Sequence, residues 1–345
     1  MRRRELLAHL AVSTTAAAAP RLAAAADHLA ATRPADALAS VLQRCLLVGV
    51  PAAPGPVAPD RLRQALSMAM GDFHACRYTE LARRLPGLLS AAHTVAVRDT
   101  PAASAVLTQT YILISRMAVK LNLNDLGLIA ADRARTIAPG AADPVLAGEA
   151  ARDMAVLVRR SGLSDRAASI ALDAADQLSG GGLAVRAQRG LLVMSAAYTA
   201  ARSGDSRMMR TLTREAAYLA STLGDRVLLP AHGGGFGVPV VQLHQISGLA
   251  AAGEPGAALN VADSIRPSQL PTTERRARYW TDVAAAASQC GQHDRAAQAL
   301  LAAEKEAPQE VYSRPAVLDL TRSLVRAGHG PRDLRVMAAR MGFSR

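Results

Sequence analysis

The stretch 277–308 constrains this chain most, because much of the remaining sequence repeats its pattern. Trp280, Val283, Ala284 and Ala287 fall at helical spacing, and Gly291 and Gln292 then interrupt them. Ala296, Leu300 and Ala303 resume the helical period, and Pro308 stops it. Two helices joined by a short turn need residues in this order, with small side chains where the helices approach closely. One such hairpin cannot bury its own apolar face, so neighbouring copies must stack.

The unit resembles the tetratricopeptide signature, a helix hairpin repeated about every 34 residues. Related hairpins are expected at 62–92, 104–139, 143–177, 183–223 and 240–265, with 277–308 as the sixth. Asp60 and Ser164 read as N-caps, and Pro86 predicts a kink within the helix 78–92. A helix pair at 315–327 and 332–341, with Arg322, Arg326, Arg332, Arg335 and Arg340, would cap the stack. The expected fold is therefore all-α, a right-handed superhelical solenoid of about six hairpins plus a capping pair. Composition agrees: half the residues are hydrophobic but only 3% are aromatic, so the core must be built from Ala, Leu and Val. The organisation follows as 1–58, a helical extension ending in the proline-rich linker 51–59, and then the repeat domain 59–345.

Charge leaves two readings open. Lys and Arg number 40 against 28 Asp and Glu, a formal net charge of +12. Nearly all of the positive charge is Arg; Lys120 and Lys305 are the only lysines. A GC-rich genome produces this bias without function; a surface for nucleic acid or an acidic partner would use it. Cys45, Cys76 and Cys290 form no CxxC pair and suit a reducing cytoplasm. The arginine-rich start is similar to a twin-arginine export signal, but His9, Ser13, Thr14 and Thr15 interrupt its apolar part. No run reads as a membrane span, and a cytoplasmic protein is expected.

Sites of catalysis are not expected. HisGlyGlyGly at 232–235 matches an oxyanion-hole tetrapeptide, yet no GxSxG elbow accompanies it. It also lacks the Lys-Ser/Thr of a phosphate loop. His232 and His244 lack metal-ligand spacing, and Glu149 and Asp282 read as solvated charges. The expectation is no metal, no cofactor and no enzyme.

Binding is expected instead on the concave wall, which the first helix of each hairpin lines. Positions there not used as packing anchors are Gln109, Ile112, Arg116, Arg152, Arg159, Tyr198, Leu243, His244, Arg278 and Asp282. Forked guanidinium groups suit carboxylate or phosphate, and such a groove suits a protein, a peptide or a small signal.

Several segments carry a further resemblance: 3–7, PheGlyValProValValGlnLeuHis at 236–244, GluArgArgAlaArg at 274–278, and 312–324. Together they resemble the C-terminal, tetratricopeptide-like half of actinobacterial helix-turn-helix regulators of the Cro/CI-like (XRE) type. The resemblance implies a regulatory protein whose repeat array binds a partner or signal, with homodimerisation open. The chain starts at the joint that would follow the DNA-binding half, so direct DNA contact is not expected of it.

Overall fold

The computed structural model describes residues 34–343 apart from 54, 56, 179, 225–228, 230–234 and 330. The arginine-rich start, the segment 3–7, His232 and most of HisGlyGlyGly lie outside the described residues.

Among the described residues the chain is all-α, with sixteen α-helices and no strand. Six hairpins run in order: α2 (Pro59–His74) with α3 (Tyr78–Ala96), α4 (Pro101–Lys120) with α5 (Asn124–Ile137), and α6 (Pro144–Arg160) with α7 (Ser164–Gln177). They continue with α8 (Leu183–Arg202) and α9 (Ser206–Leu223), α10 (Val238–Ala251) and α11 (Pro255–Asp263), and α12 (Thr273–Gln289) and α13 (His293–Glu306). Ahead of them stands α1 (Pro34–Gln43), and behind them α14 (Pro308–Ser313), α15 (Pro315–Arg326) and α16 (Arg332–Arg340).

The repeat is visible in the backbone. Each first helix ends in one left-handed residue: Cys76, Asn122, Gly162, Gly204, Gly253 and Gly291, with φ from 56° to 85°. The next amide reaches back five residues, as in Leu123 N to Ala118 O at 2.8 Å and Gln292 N to Ala287 O at 2.9 Å. This is the Schellman closure, and it ends the first helix in the same way in each hairpin. It also corrects one cap. Leu163 takes the N-cap position of α7, leaving Ser164 inside the helix with no side-chain cap. Likewise Pro59 opens α2 and Asp60 is its second residue. The helix α3 runs unbroken through Pro86.

Packing follows the expected anchors. Ala284, Ala287, Ala296, Leu300 and Ala303 are fully buried, and Val283 nearly so. Alanine at these contacts lets helices meet closely, as ridge-into-groove packing requires. Pro308 does more than stop α13: it opens the short helix α14, which the repeat pattern did not anticipate.

First helices form the inner wall. Each of α2, α4, α6, α8, α10 and α12 contacts the next, and α12 contacts α2 in turn. The stack thus returns on itself. Ala277 and Ala307, from the last hairpin and its end, join the same buried cluster as Leu62, Leu81 and Leu107. The α1 residues Leu38 and Leu42 belong to that cluster too.

One described helix, α4, is long and apolar enough to cross a membrane by length and composition alone. This corrects the expectation that no run would be. The helix packs between α2 and α6, and Arg116 and Lys120 near its end make buried ion pairs, so it serves as a core helix.

Candidate functional site

Closing the stack forms a central, partly open cavity of about 500 Å³. That falls within the roughly 300–1,000 Å³ range typical of small-molecule sites. Seven of the ten expected groove residues line it: Arg116, Arg152, Arg159, Tyr198, His244, Arg278 and Asp282. They come from α4, α6, α8, α10 and α12, so five hairpins contribute to one space.

Three do not belong. Ile112 is 1% exposed and Leu243 0% exposed, both inside the hydrophobic core. A helix facing a concave wall turns only a narrow stripe toward it. Ile112 lies one turn before Arg116 and Leu243 one residue before His244, and both are packed into the buried apolar clusters instead. Gln109 is half-buried on α4 but does not line the cavity. Glu149 is also corrected: it is 6% exposed, not solvated.

The wall carries two compensated ion clusters. Arg116 donates from Nε to Asp153 at 2.9 Å and from Nη2 to Glu149 at 2.6 Å. Burial opposes its charge, but Asp153 and Glu149 outweigh burial and raise its pKa. Arg152 donates to the other Asp153 oxygen at 3.1 Å, while its Nε is buried without a partner.

The second cluster closes the ring. Lys120, at the end of α4, donates to Glu274 at 2.7 Å and to Glu310 at 2.8 Å. Tyr78 donates its hydroxyl to the other Glu310 oxygen, and Thr79 N donates to Gln309 at 3.0 Å. Glu310 also accepts from Arg314 at 3.3 Å. Burial opposes the Glu274 charge, yet Lys120 and Arg275 prevail and hold its carboxyl well below the usual range. The sequence did carry a signal for Lys120: it is one of two lysines in an otherwise arginine chain. A compact ammonium can serve two carboxylates from separate segments where a planar fork would not fit.

Beyond these clusters the wall is in cationic excess. Nine Arg and Lys side chains line the cavity against three carboxylates, and Glu149 and Glu310 behind the wall do not balance them. Arg159 is the clearest case. Its Nη1 donates to Thr199 at 3.1 Å and to the Ser195 carbonyl at 3.4 Å, and it lies 4.7 Å from the Tyr198 ring centre. Burial lowers its pKa to about 10, and burial likewise lowers Arg275 to about 10 against the pull of Glu274. Both remain charged near neutral pH, at a cost in solvation. Ser195 is 5% exposed, lines the cavity, and has a hydroxyl with no partner.

Arg278 and His244 complete the far side. Arg278 donates to Ser247 at 3.0 Å, to Asp282 at 3.4 Å and to His244 Nε2 at 3.4 Å. The 236–244 element has a physical account here. Phe236 is buried against α8, where a Cβ on Gly190 would stand 2.2 Å from its ring. That contact anchors the entry to α10 and so sets His244 at the wall.

His74, in the last turn of α2, also lines the cavity. Burial first, and Arg116 second, lower its pKa to about 4. Folded His74 therefore stays neutral where the unfolded residue, near 6.5, binds a proton. Its contribution to stability is complete above about pH 6.5 and is lost as pH falls toward 4, on the order of 3 kcal/mol. Denaturant unfolding between pH 7 and 4 should show this slope, and His74→Gln should flatten it. Glu274, with its depressed pKa, acts only below the ordinary glutamate range.

Among the described residues no group of three His, Cys, Asp or Glu could hold a metal ion. Comparison of the chain with protein families, with curated proteins and with solved structures returned no match.

Proposed function

We propose that this chain is a non-enzymatic regulatory module of the helical-repeat kind. It recognises an anionic small signal, or the acidic end of a peptide or protein partner, inside its central cavity. The observation that carries the reading is convergence: seven polar or aromatic positions from five hairpins meet in one basic space. The dimensions favour a small ligand or a chain terminus over a whole helix, since about 500 Å³ matches a small-molecule site. The resemblance of 236–244, 274–278 and 312–324 to Cro/CI-like regulators supports a role in transcriptional control in the cytoplasm.

Direct nucleic-acid binding through the arginine-rich surface is the competing reading. A gel shift at low and high salt separates the two, because phosphate contacts weaken steeply with salt. Native mass spectrometry of protein purified from its own cells tests the proposal. A bound small anion or peptide, lost in the double variant Arg159→Gln, Arg278→Gln, is the expected result. An empty cavity in both proteins, together with salt-sensitive binding of duplex DNA, would overturn it.

A further inference from the structure

We infer that the cavity is built for a phosphate-bearing ligand with at least two negative charges, seated against Arg159, Arg152 and Ser195. This deepens the binding reading above and rests on it.

Three observations lead there. First, the wall holds more positive charge than its carboxylates and those behind it can balance. An isolated buried cation is expensive, so a fold that keeps several of them together gains most when an anion arrives. Second, Arg159 has only neutral partners in Thr199, the Ser195 carbonyl and the Tyr198 ring. Third, two buried donors, one on α6 and one on α8, lack acceptors: Arg152 Nε and the Ser195 hydroxyl. Both residues line the same cavity.

The class of anion follows from donor geometry. A planar carboxylate is satisfied by one guanidinium fork in its own plane. Donors that reach a space from separate helices suit a tetrahedral group whose oxygens point several ways. A phosphate also supplies close to two charges near neutral pH and three acceptor oxygens. A second cleft of about 660 Å³ shares Tyr198 and His244 with the cavity and is walled by Met194, Met209, Val241 and Leu249. It provides room for an organic group attached to the phosphate.

Inorganic pyrophosphate is the probe, titrated in thermal melts of the full chain at constant ionic strength, with citrate as the carboxylate counterpart. Pyrophosphate should raise the melting temperature by several degrees, and citrate much less. Arg159→Gln should weaken pyrophosphate about tenfold or more, the scale of a charge-assisted bond. The same variant should melt at or above the parent temperature without ligand, because it removes a cation that burial disfavours. A residue with a merely structural role would lower that melt. Arg63→Gln, on the exposed face of α2, should leave the pyrophosphate response intact. Citrate stabilising where pyrophosphate does not would overturn the phosphate class and leave the binding reading standing. An equal pyrophosphate response in Arg159→Gln would place the anion elsewhere and overturn the site. No response to either anion would overturn the inference and remove the small-signal form of the reading as well.

Discussion

Replacing Lys120 by Met lowers the unfolding free energy by about 3–5 kcal/mol, the cost of stripping one partner from a buried charge cluster. The reason lies in what is left behind. Glu310 has no exposed side-chain surface, Glu274 has 17%, and both lean on the Lys120 ammonium. Methionine fills a similar volume, so the loss reports charge rather than a void. Urea unfolding at pH 7 measures it. Because Lys120 joins α4 to the start of α12 and to α14, the damage falls on ring closure. The variant should also open the first and last hairpins to amide hydrogen exchange before the middle ones. A loss under 1 kcal/mol would mean that these carboxylates are already solvated.

Arg116→Met is the second large effect, again about 3–5 kcal/mol. Its side chain is 11% exposed and bridges Glu149 on one turn of α6 to Asp153 on the next, at 8% and 4% exposure. Removing the bridge leaves two carboxylates in mutual repulsion, with Arg152 on one of them. Adding Glu149→Gln and Asp153→Asn to Arg116→Met should restore part of the loss, since apolar or neutral replacement of a whole cluster is often close to neutral. Equilibrium unfolding of the single and triple variants decides it. A triple variant no more stable than Arg116→Met would show that Arg116 acts through packing.

Much of the fold was legible because its signals are local. Gly162, Gly204, Gly253 and Gly291 mark the same left-handed turn, and the alanines after each turn recur at helical spacing. The identity of the inner helices was legible for the same reason, and with it Arg152, Arg159, Tyr198 and Arg278. Ring closure was not. It depends on Lys120 meeting Glu274 and Glu310, partners far along the chain that no periodicity connects. Ile112 and Leu243 were misplaced because a repeat register gives a residue's helix but not its rotation to within one step. Glu149 was misread for a related reason: its burial depends on Arg116, 33 residues earlier. Ser195 carries no sequence signal, being an ordinary serine made notable only by an absent partner.

The cavity exists only if the hairpins close, so closure is the claim to test. A double-mutant cycle on Lys120 and Glu310, which lie 190 residues apart in the chain, tests it directly. Stabilities of Lys120→Met, Glu310→Gln and the double variant should reveal a coupling of about 2 kcal/mol or more, as for groups in contact within one network. Effects that add to within about 0.5 kcal/mol, as distant sites do, would mean an open superhelix whose inner helices do not converge on one cavity.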